Sequence, residues 1–222
     1  MSRLHDLIAR HCHKGVPFKA LGEIGTFTRG RRFTKEDVVE DGIPSIHYGE
    51  IYTRYGTWAL SAHSHVRSGL RDQLRFASHG DVVIAGVGET VEEVAKAVAW
   101  LGTEGVAFHD DCWAFRHEQD PKFIAYAMQA TAFHAQKNKY VARAKVKRLS
   151  GESLAKIKIP LPPVPVQQEI ARVLDLFAEL EAELEAALEA ELEARRRQYS
   201  YYRDSLLTFR DEAGGGTVDS DG

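Results

Sequence analysis

From Gln167 to Phe209 the chain contains neither Gly nor Pro, and Ala, Glu, Leu and Arg dominate. These residue types favour helix, and the 43 residues of this stretch would form a rod of roughly 65 Å at ~1.5 Å per residue. Apolar side chains recur at Ile170, Val173, Phe177, Leu180 and Leu184, then at Leu188 and Leu192, then at Tyr199, Tyr202, Leu206 and Phe209. The spacing is a 3–4 alternation interrupted by a stutter of fours, the signature of a coiled-coil seam. Such a rod cannot fold back along its whole length onto a domain built from the rest of the chain. Its seam (Ile170, Val173, Phe177, Leu180, Leu184, Leu188, Leu192, Tyr199, Tyr202 and Leu206) therefore predicts a helical partner. Glu179–Glu193 holds seven Glu and no basic residue, and Arg195-Arg196-Arg197 follows. A parallel pair would set acid beside acid, so the pattern favours an antiparallel pair. The competing reading is a solvated charged face with an intramolecular partner.

Before the rod, Gly-rich punctuation from Phe18 to Val106 cuts the chain into short pieces. Strand-like runs lie between: Gly42–Ile46, Asp81–Ala85 and Ala97–Leu101. Residues 3–13 suit a short helix, with Leu4, Leu7 and Ile8 on one side. Residues 121–135 return to helical spacing, with Pro121 at N1 and Phe123, Ile124, Ala127, Met128 and Phe133 apolar. Ser150 caps a short turn, and residues 157–159 alternate like an edge strand. Pro160, Pro162, Pro163 and Pro165 then suggest a stiff linker. The predicted class is α+β: a β-rich domain with a few helices over residues 1–162, one long coiled-coil helix over 163–210, and a disordered Gly-rich acidic tail over 211–222.

The net charge of −3 argues against a nucleic-acid binder only as an average. Residues 1–163 carry 23 Lys+Arg and 18 Asp+Glu, a balance of +5, whereas residues 164–222 carry 6 and 14, a balance of −8. Charge acts on partners through its local distribution. Cys12 and Cys112 make no disulfide framework or zinc pattern. The N-terminus has no signal-peptide core and no run is long enough to span a membrane, so the cytoplasm is the expected compartment.

Catalytic motifs are missing. Gly86-Val87-Gly88-Glu89-Thr90 follows a strand-like run but lacks the Gly-Lys-Ser/Thr of a phosphate loop, so a turn after a buried strand is expected. His11-Cys12-His13, His63-Ser64-His65 and His109-Asp110-Asp111-Cys112 have no paired zinc spacing, so no metal is assigned. No Gly-x-Ser-x-Gly occurs, no Glu has a Lys two positions later as common metal nucleases need, and the Pro-Pro pair is followed by Val164 rather than the aromatic of a base methyltransferase.

Three stretches look suited to DNA. Between Asp120 and Glu152 there is no acidic residue, while Lys137, Lys139, Tyr140, Arg143, Lys145, Lys147 and Arg148 fall close together. The alternation Arg143/Lys145/Lys147 would present a comb of cations to a row of phosphates. Arg29, Arg31, Arg32 and Lys35 form a second basic loop around Gly30. His47, Tyr48, Tyr52 and Arg54 mix hydrogen-bonding and aromatic groups, as base-reading surfaces do. Each stretch alone also suits a solvated face; the combination in the basic part of the chain favours DNA.

Read in order, the motifs resemble the specificity subunit of type I restriction–modification systems. They are Gly15-Val16-Pro17-Phe18-Lys19-Ala20-Leu21-Gly22-Glu23-Ile24, Gly42–Ile46, Gly80–Ile84, Pro121-Lys122-Phe123-Ile124, Leu154–Pro163, Val166-Gln167-Gln168-Glu169-Ile170 and Arg196–Leu207. The resemblance spans about residues 15–209. It implies a target recognition domain that reads one half of a bipartite duplex site in the major groove. It also implies a spacer helix that pairs antiparallel and docks methyltransferase subunits and, where present, a restriction translocase. The family's specificity subunit has no catalysis and no cofactor of its own; AdoMet belongs to the methyltransferase partner. Most members carry two recognition domains and two spacer helices, whereas one of each is present here. The resemblance thus implies a half-length form, paired either with its own copy, for an inverted-repeat target, or with another half-subunit. Two readings compete: a coiled-coil adaptor without DNA recognition, and a small metal-dependent hydrolase built on the His clusters.

Overall fold

The computed structural model describes residues 3–141 and 146–208. Its core is a five-stranded sheet in the order Gly25–Arg29, Cys112–His117, Val82–Ala85, Ala97–Trp100 and Trp58–Ala59, antiparallel except for the last pair. The apolar runs seen in the sequence become its central strands. Alternate side chains of Val82–Ala85 serve two different cores. Val82 and Ile84 join Phe115, Phe123, Ile124, Met128, Phe133 and Leu154 on the helical face. Val83 and Ala85 join Trp100, Ile46, Val106 and Phe108 on the other. Burial on both faces explains why these strands read as continuous apolar runs rather than as alternations.

The second face is covered by another five-stranded sheet, ordered Val38–Val39, Ser64–Val66, Ile43–Ile46, Val106–Phe108 and Phe76–Ala77. Its outer side carries a third cluster around Phe33, Ile43, Val66 and Leu70. Two helices on one face of a mixed sheet and a second sheet on the other realise the α+β class. The expected helix over 121–135 is two helices, Pro121–Ala127 and Thr131–Lys137. Asp120 caps the first through its carboxylate, which accepts from the Phe123 amide at 2.8 Å. Ser150 caps Gly151–Lys156 in the same way, accepting from the Ser153 amide at 3.1 Å.

The residues read as an edge strand pair antiparallel with Phe18–Ala20, as Lys158–Pro160. The helix begins within the proline run, one residue from the predicted start at 163. It runs Val164–Leu207, with Pro165 in its first turn, where the missing amide donor has no intrahelical partner to lose. Val166, Gln167, Glu169 and Ala171 are buried in its first two turns. Gln167 is fully enclosed and ties the helix down: its side chain accepts from the Asp120 amide at 3.0 Å and donates to the Pro162 carbonyl at 2.7 Å. The first compact unit accordingly ends at Arg172 and the second begins at Val173, whereas the sequence placed the division at the prolines.

Ile170, the first residue of the predicted seam, is half-buried and packs against the core of the first unit, beside Ala171 and Leu161. Within the second unit, Val173 is half-buried, while Phe177, Leu180, Leu184, Leu188, Leu192, Tyr199, Tyr202 and Leu206 stand exposed. Arg195 and Arg197 pair with Glu191 and Glu193 one turn earlier on the same helix, at 2.7 and 3.8 Å. Part of the charge pattern that favours an antiparallel partner is therefore satisfied locally. No helix among the described residues is long and apolar enough to cross a membrane.

Candidate nucleic-acid interface

The loop after Gly25–Arg29 is fixed by backbone bonds. The Gly30 amide donates to the Cys112 carbonyl at 3.0 Å and the Arg31 amide to the Phe108 carbonyl at 3.2 Å. A Cβ on Gly30 would lie 2.0 Å from the His109 carbonyl oxygen, so only glycine permits this approach. Phe33 is buried and meets the His109 ring edge-on at 5.1 Å. Pinned between Gly30 and Phe33, the loop leaves Arg31, Arg32 and Lys35 exposed. Among the described residues no carboxylate pairs with any of the three.

His47 opens the helix Tyr48–Thr53 as its cap: its Nδ1 accepts from the Gly49 amide at 3.3 Å, and Glu50 accepts from the His47 amide at 2.8 Å. A neutral His47 therefore carries its proton on Nε2. Burial, then the proximity of His109 at 4.6 Å between ring centres, holds the His47 imidazole below its ordinary range.

The basic stretch after Asp120 behaves differently from the prediction at its start. Lys137 is fully buried, and its ammonium donates to the carbonyls of Val91, Glu92 and Val94 at 2.7, 3.3 and 2.9 Å. It closes the loop before Ala97–Trp100 and cannot reach a phosphate, so it leaves the predicted DNA set. Burial pushes its pKa down to about 8. Lys139 and Tyr140 are exposed. Arg143 and Lys145 lie outside the described residues. Lys147-Arg148 forms a short strand antiparallel to Val87-Gly88. That pairing also answers the phosphate-loop question. The Gly86 amide is already bonded to the Asp111 carbonyl at 2.7 Å and its carbonyl to the Leu149 amide at 2.9 Å. The Gly86-Val87-Gly88 turn is a docking rail for the basic strand.

Two more predicted residues change role. Tyr52 is half-buried against the second core, and its hydroxyl donates to the Val87 carbonyl. Burial drives its phenol far above the usual range, and it supports the rail rather than facing a ligand. Arg54 is exposed and pairs with Glu50 at 3.8 Å, outside the cavity described next. Tyr48 is half-buried, its ring tilted by 40° against that of His47 with centres 4.4 Å apart.

Segments far apart in the chain converge on one open cavity of about 670 Å³. Arg29, Arg32, Lys35, His47 and Arg148 line it, together with the His109-Asp110-Asp111 turn. The turn is the part that sequence reasoning missed as a working element. Arg29 donates from Nε to the Asp110 carbonyl at 2.7 Å and approaches its carboxylate at 3.5 Å. Arg148 donates to the Asp111 carboxylate at 3.1 Å. His109, Asp110 and Asp111 are the one group among the described residues whose ligand atoms come within metal-binding range, 4.8 Å. Both carboxylates already carry guanidinium partners, however, so the trio holds arginines. The other His clusters do not gather.

The class is a two-sheet domain backed by helices, with an open cavity lined by Arg29, Arg32, Lys35 and Arg148, together with a long helix whose apolar residues are exposed. Residues 13–194 match the Type I restriction modification DNA specificity domain, and the chain belongs to that family. It is 42% identical over 196 residues to a putative type I restriction enzyme specificity subunit of Haemophilus influenzae, covering 85% of this chain and 47% of that protein. It is 40% identical over 98 residues to the EcoprrI specificity subunit of Escherichia coli, covering 42% of this chain and 24% of that protein. Among solved structures, the HsdS subunit from Thermoanaerobacter tengcongensis shares the fold with a TM-score of 0.56 at 18% identity, over 90% of this chain and 49% of that one. A chain from a type I restriction–modification assembly gives 0.61 at 17% identity, over 90% and 50%. This chain thus spans half or less of the length of each of these proteins.

Proposed function

We propose that this chain is a non-catalytic DNA-specificity component of a type I restriction–modification system. Its recognition domain reads one half of a bipartite duplex site, and its long helix pairs antiparallel with that of a second copy to give a homodimer, setting the distance between half-sites. Pairing with a different half-subunit is the alternative outcome. Methyltransferase subunits and, where the system has one, a restriction translocase dock on the assembly. AdoMet is bound by the methyltransferase. The observation that carries the reading is the cavity, in which Arg29, Arg32, Lys35, His47 and Arg148 meet from three separate segments. The reading also assigns Arg31, Lys139 and Lys147 to DNA contact and, from the sequence alone, Arg143 and Lys145.

The test is duplex binding by the purified full chain as a function of salt. Each phosphate contact contributes about 0.9 to the slope of log affinity against log salt. Reversal of Arg31, Arg32 and Lys35 to Glu should flatten that slope by roughly 2–3 and abolish a gel shift at moderate salt. An unchanged slope removes the loop from the interface. Absence of any salt-dependent binding by the native chain, with a stable dimer, would favour the adaptor reading instead.

A further inference from the structure

The cations around the cavity fall into two chemical groups. Arg31, Arg32 and Lys35 are exposed and have no carboxylate partner among the described residues. Arg29 and Arg148 each lean on an aspartate of the 109–111 turn, yet their side chains remain 51% and 58% exposed. Both line the main cavity and also a smaller one of about 190 Å³ beside it.

The difference decides which DNA groups each can bind. A phosphate drawn to Arg29 or Arg148 would carry its charge to within contact of Asp110 or Asp111 and be opposed there. A neutral acceptor meets far weaker opposition. The aspartates also fix the guanidinium planes. Arg29 is held along its Nε–Nη2 edge, by the Asp110 carbonyl at 2.7 Å and the Asp110 carboxylate at 3.5 Å, which leaves the Nη1–Nη2 edge as an end-on fork. Arg148 is held through Nη1, which leaves Nε and Nη2 as a side-on fork. Two parallel N–H donors match the O6 and N7 acceptors of guanine, and this pair of acceptors is unique to guanine in the major groove. Backbone anchors hold both arginines in place: the Arg29 carbonyl accepts from Arg75 at 2.6 Å, and Arg148 sits on the Val87–Gly88 rail.

We propose that Arg29 and Arg148, each braced by its neighbouring aspartate, read guanine at two positions of the half-site, while Arg31, Arg32 and Lys35 hold phosphates. This rests on the DNA-recognition reading above. The turn His109-Asp110-Asp111 is then a positioning element for specificity.

The experiment selects bound duplexes from a randomised pool with the full chain, then measures affinity for the consensus and for singly altered sites. The selected half-site should contain at least two guanines. Arg148→Ala and Arg148→Lys should each lose discrimination at one of them by roughly five- to 150-fold. The lysine variant keeps the charge and loses only the fork, so its salt slope should stay native. Replacing that guanine by 7-deazaguanine, which removes N7 and keeps O6, should cost the native chain part of that factor and cost the Arg148→Ala chain nothing further. Asp111→Asn should relax the same position and no other. A consensus without guanine, or variants that weaken all sequences equally with a slope lower by about 0.9, would overturn guanine readout and leave DNA recognition standing. A pool that yields neither sequence preference nor salt-dependent binding would overturn both.

Discussion

Lys137→Met separates structural from DNA-contacting cations. The substitution keeps the aliphatic stem and removes the ammonium that donates to Val91, Glu92 and Val94. The carbonyls do not suffer equally. Val94 is fully buried and its carbonyl loses its donor with no access to water, whereas Glu92 is exposed and Val91 half-buried. One stranded buried carbonyl costs about 1–3 kcal/mol, and the charged bonds lost at the other two add to it. Relief from burying an ammonium offsets part of the sum, leaving a net loss of about 2–3 kcal/mol. At roughly 2–4 °C per kcal/mol for a domain of this size, melting should fall by about 4–12 °C. A pH signature accompanies the loss. The folded pKa of about 8 lies below the ordinary 10.5, so between these values the unfolded chain holds more protons and stability rises with pH. The native chain should gain roughly 1 kcal/mol from pH 7 to pH 9 that the methionine variant does not. Urea unfolding at the two pH values reads both effects. Duplex binding, measured well below the melting range, should keep its native salt slope. A variant as stable as the native chain, or a slope lower by about 0.9 with stability intact, would refute the burial argument and return Lys137 to the interface.

His117 should contribute to acid lability: its Nε2 is buried without a partner, and burial pushes its pKa down to about 4. The folded value lies below the unfolded one, so stability present at neutral pH is lost as pH falls through 4, and His117→Phe should spare up to about 2 kcal/mol of the native loss between pH 7 and 4.5, read by urea unfolding at each pH. For the long helix, native mass by light scattering should be twice that of the chain and should halve when Phe177, Leu180 and Leu184 are replaced by Asp; a native monomer would remove the second copy from the proposal.

Much of the scaffold is legible because its signals are local. The apolar runs at Val82–Ala85 and Ala97–Trp100 can be buried only as strands covered on both faces, and a stretch without Gly or Pro from Gln167 onward has little alternative to helix. Ambiguity arises where one local pattern fits two tertiary outcomes. Ile170 continues the 3–4 spacing of the seam, yet that spacing is the same whether the helix meets its own domain or another helix. Lys137 belongs to an acid-free basic stretch, which suggests phosphates. It also lies four residues after buried Phe133, on the same helical face, and that spacing was a readable warning. The His109-Asp110-Asp111 turn carries its meaning only in three dimensions. Its acids look like metal ligands until Arg29 and Arg148, distant in sequence, are placed against them.

The rail that positions Arg148 is itself held by buried elements of the fold. Val87-Gly88 pairs with Lys147-Arg148, the Gly86 carbonyl accepts from the Leu149 amide, and Trp113 donates from its indole to the Leu149 carbonyl at 3.2 Å. Trp113 in turn stands opposite Arg29 in the central sheet, so the two braced arginines share one support. At the far end of the same basic stretch, Lys137 clamps the loop that follows Gly88. A guanidinium fork discriminates a base only if its plane is held, because a freely rotating fork would satisfy a phosphate or a solvent molecule equally well. Lys137 and Leu149 therefore anchor the two ends of the basic segment to the loop before Ala97–Trp100 and to Gly86.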